Sequence, residues 1–449
     1  MSVLAVKPGS SGDGKRGLPG QGLGWQSLTT ISRRWVATAF AACALYAGGV
    51  ALFTGNPLHR FWGASAAIGY LLAAVATLAW RSRGLDVALV LSLCGTLLVP
   101  LGWMAAVHKM QPEVWVITNS ARMLIHHGTP YANTAALAHT ANSYLFDPYL
   151  PVMTLFGLPR ALAGQNPLTD PRIWFGLTFV LAFGLAFAVA GAKDWIRWTA
   201  FITASPVIAF ELAVGGTDIP VLALMCLGMA LLWRRHDRNA VGCLSGKESA
   251  VGCLSGEKSA VGCLPGKKGG ARPVLAGLAL GVAAAMKATA WPALVIAIAL
   301  LAVRDGKRAA GSFTLSAAAT CAVLVGPVAA VWPGALVVNT ISFPLGLTHA
   351  ISAAASPLPG HLLSDTGHIG HLIAVGLLAL SGLAIAASLL LIPPKDVPSA
   401  TWRLILGLAL MFTLAPATRF GYYLYPAGLL VWLLVARIGR RVPAEPELT

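Results

Sequence analysis

Apolar runs of roughly 17–25 residues recur along almost the whole of this chain, and short connectors rich in arginine and lysine separate them. A helix of that length crosses the hydrocarbon of a bilayer. It also bonds its own backbone polar groups, which lipid cannot do. Only 11% of the 449 residues are charged and 57% are hydrophobic, whereas a soluble domain carries roughly a quarter charged residues. The expected class is an all-α polytopic membrane protein.

The basic residues then set the topology, because lysine and arginine concentrate in cytoplasmic connectors. Residues 1–34, rich in Gly, Ser and basic side chains, are expected to be a disordered cytoplasmic amino terminus. Residues 35–107 hold three spans, the first too long for a signal-peptide core. An external loop with juxtamembrane helices covers 108–170, and further spans cover 171–233. A basic cytoplasmic loop covers 234–272, and the carboxy-terminal spans occupy 273–437 with a second external loop at 332–368. A cytoplasmic tail, 438–449, completes a count of about twelve spans with both termini inside. Tyr149–Ala163 is apolar but short, and treating it as a span would put the most basic loop outside. It is therefore expected to be re-entrant or to lie along the outer surface.

The excess of 32 Lys+Arg over 16 Asp+Glu has its explanation in those inner connectors. No basic stretch sits on a soluble folded module, so nucleic acid is not an expected partner. Four of the seven cysteines, Cys43, Cys94, Cys226 and Cys321, fall in apolar spans. The other three, Cys243, Cys253 and Cys263, fall in the inner basic loop, and no disulfide is expected. That loop repeats AVGCLSG at Ala240–Gly246 and Ala250–Gly256, then AVGCLPG at Ala260–Gly266. A ten-residue period is too short for a unit with its own core, and the cysteines lack the pairing and histidines of a zinc site. The repeat reads as a duplicated linker.

Ionisable groups at membrane depth cost roughly 2.5–3.5 kcal/mol each, so those near span ends call for a reason. On the outer side stand the acids Glu113, Asp147, Asp170, Glu211, Asp218 and Asp365, with the bases Arg122, Arg160, Arg172, Lys287 and Arg419. Glu113 opens a stretch in which Val114, Ile117, Ala121 and Leu124 form a helical apolar stripe, opposite Asn119, Arg122 and His126. A surface helix follows, with Glu113 either a general base or simply an acid that complements the helix dipole. Lys287 ends a Gly/Ala-rich helix, where its ammonium suits a phosphate or snorkels to the interface. Arg419, ahead of Phe420-Gly421-Tyr422-Tyr423, has the same two readings. Asp218, after Gly215-Gly216-Thr217, suits a sugar hydroxyl or a helix cap. The histidines lack HxxxH or HExxH spacing, so no dedicated metal site is expected, and neither a P-loop nor a GxSxG motif is present.

The order of these features resembles glycosyltransferase family 87, the polyprenyl-phosphate-mannose-dependent mannosyltransferases of the GT-C membrane fold. The resemblance runs from Glu113 through Gly128-Thr129-Pro130-Tyr131 to the Tyr144–Pro151 stretch. It continues at Gly215-Gly216-Thr217-Asp218, at Gly277, Gly281 and Lys287, and more weakly from Arg419 to Tyr425. Glu113 stands where the family has aspartate, Gly216 where it has glutamine, and Asp218 where it has asparagine. Asp147-Pro148 replaces part of a Pro-Pro element, and three spans precede the outer loop where that fold usually has one. The resemblance implies transfer of a sugar, mannose or another hexose or pentose, from a polyprenyl-phosphate donor. The acceptor would be a cell-envelope glycan or lipid at the outer face of a bacterial plasma membrane, and the anomeric centre would invert. Glu113 would be the base. Lys287 and Arg419 would stabilise the departing phosphate, and Arg122, Asp147, Asp218 and Tyr422 would bind substrate. No cofactor beyond the donor is implied, and a divalent metal is left open. The rival expectations are a transporter or flippase of lipid-linked sugars and a non-catalytic relative. Paired internal repeats would mark a transporter.

Overall fold

In the computed structural model, residues 33–80, 82–233, 270–350, 352 and 354–441 are described. The expectations for residues 1–32, for the AVGCLSG repeats within 234–269 and for the tail from 442 lie outside them. Among the described residues the fold is built from helices, with no strand longer than the isolated bridge between Ala355 and Thr418.

Every apolar run of the sequence is helical. The long helices are α1 (Arg33–Phe53), α2 (Pro57–Ala79) and α3 (Gly84–Ala106), followed after a gap by α4 (Pro112–His127). Next come α5 (Leu158–Ala163), α6 (Pro171–Ala190), α7 (Trp195–Thr203), α8 (Pro206–Val214) and α9 (Asp218–Leu232). The carboxy-terminal half holds α10 (Ala271–Met286), α11 (Trp291–Arg304), α12 (Lys307–Val331), α13 (His368–Leu391), α14 (Val397–Leu414) and α15 (Leu424–Arg441). Among the described residues eight helices are long and apolar enough to cross a membrane, or nine if the bent pair α7–α8 counts as one. The three shorter apolar helices, α9, α10 and α11, account for the difference from the sequence count of about twelve.

Two breaks in the helices follow from proline chemistry. Pro100 has no N–H, so within α3 the Thr96 carbonyl loses its i+4 donor, and a π turn at Cys94–Leu98 precedes it. The buried Trp62 indole on α2 donates to that carbonyl at 2.8 Å. Pro206 begins α8 at 65° to α7, and the Tyr70 hydroxyl, also from α2, donates to the Ala204 carbonyl at the break. Both vacancies are thus filled by one helix, which fixes α2 against the two broken segments.

The centre of the bundle is α9, which is buried on nearly every side and packs against α6, α10 and α15. Protein rather than lipid surrounds this 15-residue helix, so its end can stop at a cavity and need not reach an interface. By contrast, α12 and α13 keep only 11% of their apolar windows buried. Leu315, Val323, Leu380 and Leu383 on them are exposed, an apolar surface that water would not tolerate and lipid covers. The chain is a multi-pass α-helical membrane protein.

Between α3 and α6 lies a module without a span. Gly128, in the left-handed conformation at φ 70°, ends α4. Val114, Ile117 and Ala121 of the expected stripe are fully buried, and Leu124 is half-buried. They face a 3-10 turn, Pro151–Gly157, that leads directly into α5. Gly157 touches α4 so closely that a Cβ there would lie 2.9 Å from the Ala121 methyl carbon. Tyr149–Ala163 therefore forms two short turns of helix packed on α4.

Candidate active site

One cavity of about 430 Å³ opens at the end of the bundle where the connectors after α1, α3, α8, α10 and α14 meet. Its size is that of a small-ligand pocket, commonly about 300–1,000 Å³. Glu113, Asp218, Lys287, Arg419 and Tyr422, all singled out from sequence, line it together. They come from four separate parts of the chain, Arg419 and Tyr422 sharing one, and 306 residues separate Glu113 from Arg419, so only the folded bundle makes the cluster.

Each charged group is held by the end of an element. Glu113 sits in the first turn of α4, where the helix dipole favours a carboxylate, and its Oε1 accepts from Arg419 Nη1. Asp218 is the first residue of α9 and benefits in the same way. Its Oδ1 accepts from Lys287 Nζ and, at 2.6 Å, from the Tyr425 hydroxyl. Lys287 caps α10 in extended conformation, so its side chain leaves the helix axis towards the cavity. The ammonium lies 4.8 Å from the Tyr422 ring centre and 5.5 Å from that of Tyr149, close enough for cation–π attraction. Burial acts against the Lys287 charge, but Asp218 reverses this and raises its pKa. Burial likewise opposes the Arg419 charge, and Glu113 more than offsets it, so the guanidinium stays protonated.

The polar loops hold this arrangement in place. Thr418, beside Arg419, exchanges backbone bonds with the connector between α12 and α13, Thr418 N to Ala354 O at 2.8 Å and Ser356 N to Thr418 O at 2.9 Å. The Gly128-Thr129-Pro130-Tyr131 stretch buries Tyr131, whose hydroxyl donates to the Tyr149 carbonyl at 2.8 Å. Thr217 donates to the Tyr149 hydroxyl at 3.2 Å, and Leu150 N to the Met286 carbonyl at 2.9 Å. The ring beneath Lys287 is thus fixed from both sides.

Two of the expected substrate-binding residues lie elsewhere. Arg122 is exposed on the far face of α4 and is not part of the cavity wall. It is nine positions past Glu113, about half a turn round the helix, whereas the residues of α4 that turn to the cavity are Pro112, Glu113 and Val116. Asp147 is buried behind the wall between Phe146 and Pro148, which do line it. Its carboxylate accepts from the Ser120 hydroxyl at 2.6 Å and from Tyr149 N at 2.9 Å. Its own N–H donates to Asn339, in the connector between α12 and α13, at 2.8 Å. Asp147 therefore ties α4 to its own loop and to the connector between α12 and α13, and is a strut of the wall.

Burial pushes the Asp147 carboxyl up to about 7, even though both hydrogen bonds pull it down. A folded-state pKa above the unfolded value means that the folded protein binds the proton more tightly between roughly pH 4 and 7. Stability of the module between α3 and α6 should therefore fall as pH rises through that window. Asp147→Asn should flatten the dependence, measured as thermal unfolding in detergent between pH 5 and 8.

Sequence reasoning listed Glu211 among the outer acids without selecting it, and the structure puts it in the cavity wall. Its signal was a lone acid within an apolar run. His59 and Gln111, bonded to each other at 2.7 Å, complete one side of the mouth and had no such signal. Among the described residues no group of three or more His, Cys, Asp or Glu side chains has the geometry to hold a metal ion. Comparison with protein-family models, with curated proteins and with solved structures gives no match.

Proposed function

We propose that this protein is an integral-membrane glycosyltransferase that moves a sugar from a lipid-phosphate donor to a hydroxyl acceptor at the cavity. The observation that carries the reading is the pairing of Lys287 and Arg419, two cations from distant elements, across a cavity also lined by carboxylates. Two fixed cations suit a phosphodiester that gains negative charge as its glycosidic bond breaks. Carboxylates and tyrosines suit sugar hydroxyls and an acceptor proton. The resemblance to glycosyltransferase family 87 supports the same reaction from independent residues, Gly128–Tyr131 and the Gly-rich α10. Twelve spans in a GT-C arrangement, cytoplasmic termini and a bacterial plasma membrane with an outward-facing cavity complete the proposal. The twelve helical runs and the basic connectors support that part of it.

In the structure each of these cations is paired with an acid, Lys287 with Asp218 and Arg419 with Glu113. A donor phosphate would lie against Arg419 and Lys287, which Glu113 and Asp218 hold in place. The resemblance to glycosyltransferase family 87 implies Glu113 as the group that takes the acceptor proton.

The test is transfer in reconstituted vesicles from a radiolabelled polyprenyl-phosphate sugar to an added envelope glycan or lipid. Donor-dependent labelling of the acceptor is the expected result. Movement of intact donor across the bilayer without transfer would replace this reading by that of a flippase.

A further inference from the structure

Three carboxylates line the cavity, and two of them are engaged: Glu113 by Arg419, and Asp218 by Lys287 and Tyr425. The third, Glu211, forms no side-chain hydrogen bond or ion pair among the described residues, although all four of those charged groups lie within electrostatic reach. Its position is built. Glu211 lies in the last turn of α8, where its carbonyl accepts from Gly215 N at 3.0 Å and from Gly216 N at 2.5 Å. Glycines leave space around the side chain. A Cβ at Gly421 would lie 2.8 Å from Glu211 Oε1, and one at Gly216 would lie 2.7 Å from Glu211 Cβ. Gly421 stands between Arg419 and Tyr422, so the carboxylate reaches the cavity beside the groups assigned to the donor phosphate.

A carboxylate clamped by a guanidinium is a poorer proton acceptor than one without a cationic partner. An unpaired acid near the end of an apolar helix is also costly unless a ligand or a proton uses it. We propose that Glu211, rather than Glu113, takes the proton of the attacking acceptor hydroxyl, and that Glu113 positions Arg419. This assignment rests on the glycosyl-transfer reading. In the step, the acceptor O–H bond breaks and its proton passes to a Glu211 carboxylate oxygen. The acceptor oxygen bonds to the anomeric carbon, and the bond from that carbon to the phosphate oxygen breaks. Its electron pair stays with the lipid phosphate, now a monoester held by Lys287 and Arg419. Glu211 afterwards returns the proton to water.

The experiment compares Glu211→Gln and Glu113→Gln in the vesicle assay with two nucleophiles, the hydroxyl acceptor and azide. Azide is already an anion and has no proton to lose. Loss of a general base costs about 10²–10⁴-fold. The expected result is therefore a fall of at least about 100-fold for the hydroxyl with Glu211→Gln, while glycosyl azide still forms at close to the wild-type rate. Retained azide transfer also shows that the variant folds and binds donor. For Glu113→Gln, hydroxyl and azide transfer should fall together, with a raised donor KM. The assignment is overturned if Glu211→Gln keeps hydroxyl transfer, or if it loses both nucleophiles equally. It is also overturned if Glu113→Gln shows the azide-selective pattern, which would return the base to Glu113 and leave the transfer reading intact. Wild-type protein that transfers to neither nucleophile would overturn the transfer reading and this assignment with it.

Discussion

Asp170→Asn should destabilise the protein by about 3–5 kcal/mol, the usual cost of removing one partner from a buried ion pair. Asp170 is the N-cap of α6, and its side chain accepts from Arg172 N at 3.0 Å. Its two oxygens also receive Arg172 Nε and Nη2 and Arg160 Nη2, each at 2.9 Å. The side chains of all three residues are at most 1% exposed. Arg172 continues to the Ala213 and Lys109 carbonyls at 2.9 Å, so one carboxylate joins α5, α6, α8 and the entry to α4. Arg160 Nε has no partner and already carries a desolvation cost. With asparagine in place of the acid, two buried guanidinium groups would lose the carboxylate that pairs with both.

The measurement is unfolding of the purified protein in mixed micelles. Arg197→Gln serves as the control, because its pair with Asp86 is about half exposed and should contribute less than about 1 kcal/mol. A loss for Asp170→Asn no larger than for the control would remove the clamp from the account. The pH dependence gives a second check. Burial alone would raise the Asp170 pKa, but the hydrogen bonds and charges of Arg172 and the charge of Arg160 lower it below its ordinary value. Its contribution is therefore fully present above the unfolded value near pH 3.9, and is lost as pH falls below that through the folded pKa. Acid unfolding of wild type should begin below about pH 4. That limb should be weaker in Asp170→Asn.

The same triad shows where reading the sequence stops. Apolar runs, proline positions and basic connectors decide where helices start, end and break, because those preferences act over a few residues. Pro206 and Gly128 act where the chain bends and where α4 stops. Surface helix α4 was legible from the stripe Val114, Ile117 and Ala121, since burial on one face leaves a period in the sequence. Which charges meet is a different matter. Glu113 and Arg419 are 306 residues apart, and nothing local marks them as partners; only their cost at span ends drew attention to them. The same cost flagged Arg122, Asp147, Arg160 and Arg172 equally. Cost alone does not separate a ligand-facing charge from a strut such as Asp147 or a clamp such as Asp170. Glu211 was passed over for the reverse reason. It looked like one acid among six, and its distinction is an absence of partners, which exists only in three dimensions.

On the proposed glycosyl-transfer reading, Lys287→Met should lower sugar transfer by about 10²–10³-fold or more in kcat, the effect of deleting one group that stabilises developing charge. The difficulty is that the same change also strips Asp218 of its cation. Asp218 is buried, so Lys287→Met should lose stability as well as activity. The double variant Lys287→Met/Asp218→Asn separates the two effects. Asparagine removes the stranded charge and still accepts from the Tyr425 hydroxyl, which Thr289 holds from the other side at 3.0 Å. Stability should return towards the wild-type level, because an isosteric neutral pair replaces an ion pair that was costly to bury. Transfer should not return, because the leaving phosphate still lacks its ammonium. Lys287→Arg keeps the charge but not the compact ammonium between the Tyr149 and Tyr422 rings, and should fall between wild type and Lys287→Met. If the double variant regains transfer together with stability, Lys287 acts only by neutralising Asp218. The phosphate would then have to be held by Arg419 alone.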